Sequence, residues 1–314
     1  MSGVAPRVAF GEALVELGRV DPRLVVLDGD LANSTRVDLF AVAHPERFFQ
    51  MGIAEQNMIG VAAGLAACGF VPFATTFAAF AAHRALDQVR VVVAQPRLPV
   101  VIVGGYSGLL AGRTGKTHVC LEDLAVYRAL PNMTVLAPGD EGEARRAVAA
   151  AAGLGGPVYM RLTRDPSPSI GGDERDFVIG PAVLLREGHD VGIVSTGVET
   201  ARAMEAAATL ASQGVSAAVL HVPTVKPFDE EAVVAMARRT GAIVTAEDHS
   251  IVGGLGGAVA ETLSEQLPTP LRRVGTRDVY AESAPSDGLI EKYGIGAAHI
   301  VAAAHQVMAQ RDRR

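Results

Sequence analysis

The chain has 314 residues, of which 49% are hydrophobic and 20% charged, and its net charge at pH 7 is −6. This negative charge argues against nucleic acid or an anionic membrane as a general partner. At about 150 residues per domain, the length favours two domains, and the apolar content suits a soluble α/β protein. Cys68 and Cys120 have neither a metal-ligand nor a redox spacing, and no signal peptide or spanning segment is evident. We therefore predict a cytoplasmic protein.

Short branched-aliphatic runs alternate with alanine-rich stretches along the first half of the chain. This alternation is typical of βαβ units around a parallel sheet. Helices are predicted over residues 7–19, 54–67, 78–94, 120–129 and 140–152. Strands are predicted over residues 24–27, 70–75, 99–103, 134–136 and 158–161, with a glycine-rich loop over 104–117.

Proline, serine and glycine cluster over residues 165–172, where they oppose both helix and strand. The alternation then resumes, with strands predicted over 191–196, 215–220 and 242–246 and helices over 199–213, 229–240, 256–267 and 297–310. We therefore predict an α/β fold of two domains, each a mostly parallel sheet flanked by helices. The predicted domains are residues 1–165 and 179–314, joined by a linker over 166–178.

The segment MGIAEQNM, residues 51–58, places the carboxylate of Glu55 at the start of an alanine-rich helix, with aromatic residues downstream. A carboxylate that faces an aromatic pocket suits proton exchange with the ring nitrogen of a heteroaromatic cofactor. The segment resembles the pyrimidine-binding domain of the transketolase family, where GI-x-E-x-x-M carries the glutamate that activates thiamine diphosphate. The alternative is that Glu55 only favours the helix dipole.

The segment TFAAFAAH, residues 76–83, resembles the aromatic wall of the family's pyrimidine pocket. The resemblance implies that Phe77 and Phe80 stack near the cofactor, and that His83 replaces the tyrosine usual in transketolases. Asp30 matches a further acidic position beside the cofactor. The alternative for the two phenylalanines is ordinary core packing.

The segment GRTGKTH, residues 112–118, invites interpretation as a phosphate-binding P-loop, but Leu110 stands where that motif requires its first glycine. The segment is instead similar to the family's G-x-T-H stretch. That resemblance implies that His118 contacts a substrate oxygen and assists proton transfer, which imidazole can do near neutral pH. The alternative is a loop histidine that caps the helix beginning near Cys120.

Arg7, Ser34 and Arg164 match positions that hold the sugar-phosphate group in transketolases, and guanidinium groups suit phosphate oxygens. Solvated surface arginines are the alternative. Tyr106 stands where transketolases have a histidine, and Thr114 replaces an aspartate that reads the donor's hydroxyl stereochemistry. With Lys116 in place of a proline or small residue, these substitutions predict a changed donor specificity.

The segments TVKPFD (224–229), VTAEDH (244–249) and GGLG (253–256) resemble the carboxy-terminal domain of transketolases. All the matches follow in order over about residues 7–300. Glu247, Asp248 and His249 also invite a metal-site or catalytic-triad interpretation. We instead predict that these three consecutive residues form loop and interface hydrogen bonds.

The family binds the diphosphate and its magnesium through a G-D-G motif followed by an asparagine. Gly29, Asp30, Leu31 and Asn57 imitate the spacing, but the third glycine is absent. The resemblance therefore covers only the second half of a full-length transketolase. It implies a partner subunit that carries the diphosphate-binding domain and holds most of the Mg²⁺ contacts, in a heterotetramer.

The resemblance implies the C-terminal subunit of a split transketolase, which transfers a two-carbon ketol unit between sugar phosphates. One alternative is the β subunit of a 2-oxo acid dehydrogenase, and another is a deoxyxylulose-phosphate-synthase-like fragment. A non-catalytic regulatory partner is a third. The presence of Glu55, Phe77, Phe80 and His118 disfavours the last alternative.

Overall fold

A computed structural model describes residues 4–171 and 176–313 and shows an α/β fold. Within these ranges, the strands form one sheet of seven strands and one of five. The strands are β1 (Leu24–Asp28), β2 (Phe48–Gln50), β3 (Val71–Phe77), β4 (Val101–Gly105), β5 (Thr134–Leu136), β6 (Val158–Arg161), β7 (Val183–Arg186), β8 (Val191–Ser195), β9 (Ala217–His221), β10 (Thr224–Lys226), β11 (Ile243–Ser250) and β12 (Leu271–Thr276).

Helices cover the faces of both sheets. They are α1 (Pro6–Val20), α2 (Ala32–Thr35), α3 (Asp38–Ala43), α4 (Glu55–Ala67), α5 (Leu86–Gln88), α6 (Asp123–Ala129), α7 (Glu141–Gly153), α8 (Glu199–Ser212), α9 (Glu230–Thr240), α10 (Leu255–Gln266), α11 (Ser286–Lys292) and α12 (Ala297–Arg311). Two π-helical segments, Phe80–Arg84 and Val89–Ala94, flank α5. Two 3₁₀ helices lie at Pro45–Arg47 and Leu109–Thr114. None of the described helices is long and apolar enough to cross a membrane.

The larger sheet has the strand order β10-β5-β6-β4-β3-β1-β2, and only the β10–β5 pairing in it is antiparallel. The smaller sheet has the order β12-β11-β8-β9-β7, with β7 antiparallel to β9. The central strands β1, β3 and β4 are buried throughout, as helices on both faces require of a parallel sheet. These observations confirm the predicted α/β fold with two mostly parallel sheets.

The register of the larger sheet brings its carboxyl-terminal strand ends to one edge. Asp28 pairs with Thr75, and Phe77 pairs with Gly105, so the loops after β1, β3 and β4 begin side by side. Ligands of parallel α/β sheets bind at this edge. The site described below is built there.

The predicted helix over 78–94 is wrong in its detail, because the stretch breaks at Ala85 and most of it is π-helical. Wider π turns change the direction of the side chains and are frequent at functional sites. The helix predicted from residue 120 begins instead at Asp123. Cys120 is held extended by a β-bridge to Ser107, and the Leu121 carbonyl accepts a hydrogen bond from the Ser250 N–H.

Strand β10 comes from the second half of the chain but extends the sheet of the first half. Thr224 lies opposite Leu136 of β5 in an antiparallel pairing. Buried side chains add to this connection, because Arg161 pairs with Asp123 and also donates 3.0 Å to the main-chain oxygen of Asp248. The two halves therefore pack as one body around the loops that carry the site.

Candidate active site

Glu55 is the first residue of α4, and its side chain is fully buried. The helix forms because its apolar positions recur along one face, which buries Met58, Ile59, Ala62 and Ala66 against the sheet. A carboxylate in the first helical turn is favoured by the helix dipole and the free N–H groups there. The fold thus buries the Glu55 carboxyl group away from solvent at the helix N-terminus.

Arg84 and Thr76 are the hydrogen-bond partners that the structure gives the Glu55 carboxylate. Arg84 donates from Nη1 to both carboxylate oxygens at 2.8 Å, and Thr76 donates from Oγ1 to Oε1 at 3.3 Å. Arg84 is not among the site residues predicted from the sequence. The signal that could have found it is its position four residues after Phe80 on the same helical segment, where both side chains reach one face.

Aromatic rings stack in a row beside this ion pair. The guanidinium carbon of Arg84 lies 4.2 Å from the centroid of the Phe80 ring. The Phe80 ring stacks on Phe77 at 5.8 Å, and Phe77 stacks on Tyr106 at 4.1 Å. The imidazole of His118 meets Phe77 and Phe80 edge-on at 5.8 and 5.3 Å. The structure therefore brings Glu55, Phe77, Phe80, Tyr106 and His118 into one cluster.

Arg7, Ser34 and Arg164 gather at the Tyr106 end of this row. Arg164 donates from Nε to the Tyr106 hydroxyl at 3.2 Å, and each guanidinium carbon lies 5.7 Å from the Tyr106 ring centroid. Arg7 donates to the main-chain oxygens of Ser34 and Arg164 at 2.8 and 3.1 Å. The hydrogen bond with Tyr106 raises the pKa of Arg164 above its ordinary value. Arg164 also pairs with the Asp165 carboxylate at 2.7 Å. Two guanidinium groups therefore stand together, one of them with an acidic neighbour, and guanidinium groups are suited to binding anions.

His83 lies at the exposed side of the cluster, with Nε2 2.7 Å from Oε1 of Glu122. It borders a cavity of about 510 Å³ whose lining includes Phe80, Arg84, Lys116 and Glu122. Burial raises the pKa of the nearby Cys120 thiol far above its ordinary value. His83, Cys120 and Glu122 could hold a soft metal ion, but they do not form the oxygen-rich set that Mg²⁺ prefers.

Asp30 follows β1 in a left-handed conformation, with φ of 67°, and is exposed. Its N–H donates to Gln50 Oε1 at 3.0 Å. The buried acid at this strand end is Asp28, whose carboxylate accepts from the Leu31 N–H and from Gln50 Nε2. Burial raises the pKa of Asp28. Asp28 therefore shapes the turn that presents Asp30, a role that the sequence analysis missed.

The loop that carries Thr114 and His118 is ordered by its own hydrogen bonds. Thr114 donates from Oγ1 to the Ala111 carbonyl at 2.9 Å, while Lys116 and Thr117 are exposed. Thr117 Oγ1 lies 2.7 Å from His118 Nδ1. The structure does not show His118 capping α6. The Thr114 hydroxyl is therefore partly engaged in holding the loop.

The AEDH segment lies within β11 and not in a loop after it, but its acidic side chains form loop and interface hydrogen bonds, as predicted. Glu247 accepts from the N–H groups of Leu255 and Gly256 at 2.7 and 2.8 Å. Asp248 accepts from the Leu109 N–H in the other half of the chain. The polar groups that these residues present are satisfied by backbone donors, as structural residues at an interface require.

The site fits the pyrimidine half of a thiamine cofactor. The Glu55 carboxylate is buried, and the guanidinium that bonds to it lies over the ring of Phe80, so an acid and an aromatic face border the same small volume. The Arg84 guanidinium, a planar group with hydrogen-bond donors, already stacks on Phe80 and bonds to Glu55. The pocket therefore accepts a planar donor group in the place that an aminopyrimidine ring would take.

Comparison with known families assigns both halves of the chain. Residues 2–168 match the transketolase pyrimidine-binding domain, and residues 180–300 match the transketolase C-terminal domain. The chain belongs to the transketolase family. The two matched domains agree with the predicted resemblance to the C-terminal half of a transketolase.

Three relatives support this placement. The 6-deoxy-6-sulfo-D-fructose transketolase subunit SqwH of Clostridium sp. (strain MSTE9) is 47% identical over 98% of this chain and 96% of its own. A split gene transketolase, solved as an inactive β4 tetramer, matches 98% of this chain and 100% of that chain, with 48% identity and a TM-score of 0.92. The transketolase from Leishmania mexicana gives a TM-score of 0.82 at 25% identity, and the match spans 99% of this chain but 46% of that one.

Proposed function

We propose that this chain is the C-terminal subunit of a thiamine-diphosphate-dependent transketolase and turns over only with a second subunit. The observation that carries the proposal is the buried Glu55 carboxylate at the N-terminus of α4, bonded to Arg84, whose guanidinium lies over the ring of Phe80. A regulatory partner without catalysis would not need a desolvated acid at this place. The family membership and the split-transketolase relatives support the same conclusion.

Each residue of the cluster has a role that follows from its contacts. When bound, thiamine diphosphate supplies the carbon nucleophile that carries the ketol unit. Glu55 holds a proton at the pyrimidine ring nitrogen, while Thr76 orients Oε1 of the carboxylate. Phe77 and Phe80 exclude water from the ring, with His83 at the exposed end. His118, edge-on to both phenylalanines, offers a proton to a substrate oxygen.

Tyr106, Arg7 and Arg164 form the anion-binding end of the proposed substrate site, with Ser34 in contact with Arg7. We also assign Thr114, on the loop that leads to His118, to the substrate site. We propose that the partner subunit carries the diphosphate-binding domain and most of the magnesium contacts, and that two chains of each kind form a heterotetramer. Asp30, exposed at the end of β1, then contacts the cofactor from this side. The domain division at residues 1–165, 166–178 and 179–314 and the cytoplasmic location remain predictions.

Reconstitution with a separately expressed subunit that carries the G-D-G motif and its asparagine tests the proposal. The mixture should transfer a ketol unit from xylulose 5-phosphate, or from a related donor, only when thiamine diphosphate and Mg²⁺ are both present. Each subunit alone is the control. A reconstituted complex that binds the cofactor but transfers no unit from a broad panel of ketose donors contradicts the proposal.

A 6-deoxy-6-sulfo ketose is a second candidate donor, and the relative with 47% identity, named for that sugar, favours it. A sulfonate carries one negative charge on three oxygens, whereas a phosphate monoester carries about 1.5 to 2 charges at pH 7. The pair of Arg7 and Arg164 around the Tyr106 hydroxyl suits either group. Comparing kcat/KM for 6-deoxy-6-sulfofructose and fructose 6-phosphate in the same complex decides between the two donors.

A further inference from the structure

Arg84 occupies the Glu55 carboxylate and the face of Phe80, the two groups that an aminopyrimidine ring would contact in this pocket. Its Nη1 donates to both oxygens of Glu55 at 2.8 Å, and its guanidinium carbon lies 4.2 Å over the ring of Phe80. The Glu55 side chain is 0% exposed, whereas that of Arg84 is 43% exposed. The partner of the buried acid therefore enters from the solvent side.

A guanidinium group and an aminopyrimidine ring share the chemistry that this pocket selects. Both are flat, both stack on an aromatic face, and both offer N–H donors near a carboxylate. The Phe77 ring offers no free face for a second stacking partner, because it is 4% exposed and stacks on Tyr106. A pyrimidine ring cannot lie on Phe80 and bond to Glu55 while Arg84 is there.

The position of Arg84 allows its side chain to move away from Glu55. It ends the π-helical segment Phe80–Arg84, immediately before the break at Ala85, and it lines the cavity of about 510 Å³ together with Lys116, Thr117 and Glu122. The cavity is large enough for an arginine side chain, and Glu122 places a carboxylate on its wall. A guanidinium released from Glu55 thus has space and an acidic neighbour on the same side.

We propose that Arg84 is an intramolecular stand-in for the aminopyrimidine ring, which closes the pocket when no cofactor is bound and must leave Glu55 before the cofactor enters. This inference rests on the proposed function. The ion pair compensates the desolvation of Glu55 in the cofactor-free chain, since a buried carboxylate without a partner is strongly unfavourable. Its loss on cofactor binding then lowers the apparent affinity for thiamine diphosphate.

Calorimetric titration of the reconstituted two-subunit complex with thiamine diphosphate, at saturating Mg²⁺, tests the inference. Arg84→Met keeps the length of the side chain and removes the competing charge, so the dissociation constant should fall about tenfold or more. Arg90→Met is the matched control, because Arg90 lies six residues further on and pairs with Asp87 at the surface. It should leave the constant unchanged. An Arg84→Met complex with equal or weaker affinity overturns the inference.

The wild-type complex provides a second readout that does not depend on any variant folding. In the cofactor-free complex labelled with ¹⁵N-arginine, the Nη resonances of Arg84 should show the slowed rotation of a paired guanidinium, and thiamine diphosphate should abolish it. Resonances that are unchanged at saturating cofactor contradict the inference. If the wild-type complex binds no thiamine diphosphate at all, the proposed function is wrong, and the inference that rests on it is wrong as well.

Discussion

Asp248 accepts hydrogen bonds from the backbone N–H of Leu109 through both carboxylate oxygens, at 2.8 and 3.0 Å, although the two residues are 139 positions apart. Leu109 begins the 3₁₀ helix Leu109–Thr114, and the loop then continues to His118. The carboxylate also lies against Gly108, where an added Cβ would come within 2.2 Å of Oδ2. A residue of the second half of the chain thus fixes the loop that carries the proposed acid–base histidine.

The Asp248→Asn substitution should loosen this loop. The amide keeps one acceptor but replaces the other with an NH₂ group that faces backbone donors, and a hydrogen bond to a charged group is worth about 1.5–3 kcal/mol. We expect urea unfolding to show a loss of about 2 kcal/mol and kcat/KM of the complex to fall by about tenfold or more. Asp287→Asn, at a nearby exposed position, is the control. Equal kcat/KM in wild type and Asp248→Asn would show that the anchor does not position the loop.

The Glu55→Gln substitution should keep the fold and remove most of the activity. Glutamine preserves size and one acceptor but cannot share an ionisable proton with the pyrimidine nitrogen, and acid–base steps contribute about 10²–10⁴-fold. Hydrogen–deuterium exchange at C2 of the bound cofactor, quenched and read by NMR, measures the step directly. Glu265→Gln, at an exposed position of α10, is the matched control. Exchange at the wild-type rate in Glu55→Gln would remove this residue from the proposed mechanism.

The chain without a partner should neither bind thiamine diphosphate tightly nor turn over. The described residues supply the pyrimidine side of the site, and Arg84 closes it. Calorimetric titration of the isolated chain with thiamine diphosphate and Mg²⁺ measures the affinity. Micromolar cofactor binding by the isolated chain contradicts the expectation.

The Thr114→Asp substitution should change the donor preference. Thr114 now donates to the Ala111 carbonyl, and aspartate would replace that donor with a charged acceptor. Gaining or losing a buried polar partner of a substrate hydroxyl is worth about 1–3 kcal/mol, or about one to two decades in kcat/KM. The measurement is kcat/KM for xylulose 5-phosphate against a panel of other ketoses. Thr209→Asp, at an exposed position of α8, controls for the added charge. An identical ranking of donors in wild type and Thr114→Asp would make the substitution neutral.

Glu143 and His221 should link the two halves of the chain in a pH-dependent way. Burial raises the pKa of Glu143, but the His221 imidazole, 2.9 Å away, and the Gly139 N–H more than offset it, so the pKa lies below its ordinary value of 4.5. A lowered carboxyl pKa contributes stability above the unfolded value, and that stability is lost as the pH falls through the folded value. The contribution should therefore be complete at neutral pH.

The Glu143→Gln substitution should lower the free energy of unfolding by about 1.5–3 kcal/mol at pH 7, because the Gly139 N–H and the His221 ring lose a charged hydrogen-bond acceptor. The difference from wild type should shrink as the pH falls below the unfolded value of 4.5. Urea unfolding at several pH values measures it, with the exposed Glu265→Gln as control. If the difference in the free energy of unfolding stays constant from pH 7 to acidic pH, the ionised Glu143 carboxylate does not contribute to stability through this pair.

Local signals in the sequence were enough to predict where Glu55, Phe77 and Phe80 lie in the fold, whereas their binding of a pyrimidine ring stays a prediction. Glu55 heads a helix with a regular apolar face, and Phe77 and Phe80 follow a buried strand, so short-range patterns place all three at one edge of the sheet. The alternation of apolar runs and alanine-rich stretches predicts the two sheets, and the motifs indicate the family. The short elements α2, α3, β2, β7, β10, β12 and α11 were missed, because segments of three to seven residues carry little periodicity.

The sequence by itself determined the α/β architecture and the acid–aromatic–histidine set of the candidate site, because hydrophobic period and motif spacing act over a few residues. Only the tertiary structure decided that Arg84 bonds to Glu55, that Asp248 anchors Leu109 and that β10 joins the sheet of the first half. An arginine on a helix usually belongs to a solvated surface, and an acid at a strand end usually belongs to a loop. Whether such an arginine or acid pairs with another buried residue depends on which strand ends lie side by side and which charged groups are buried together. The packing of the whole chain decides both.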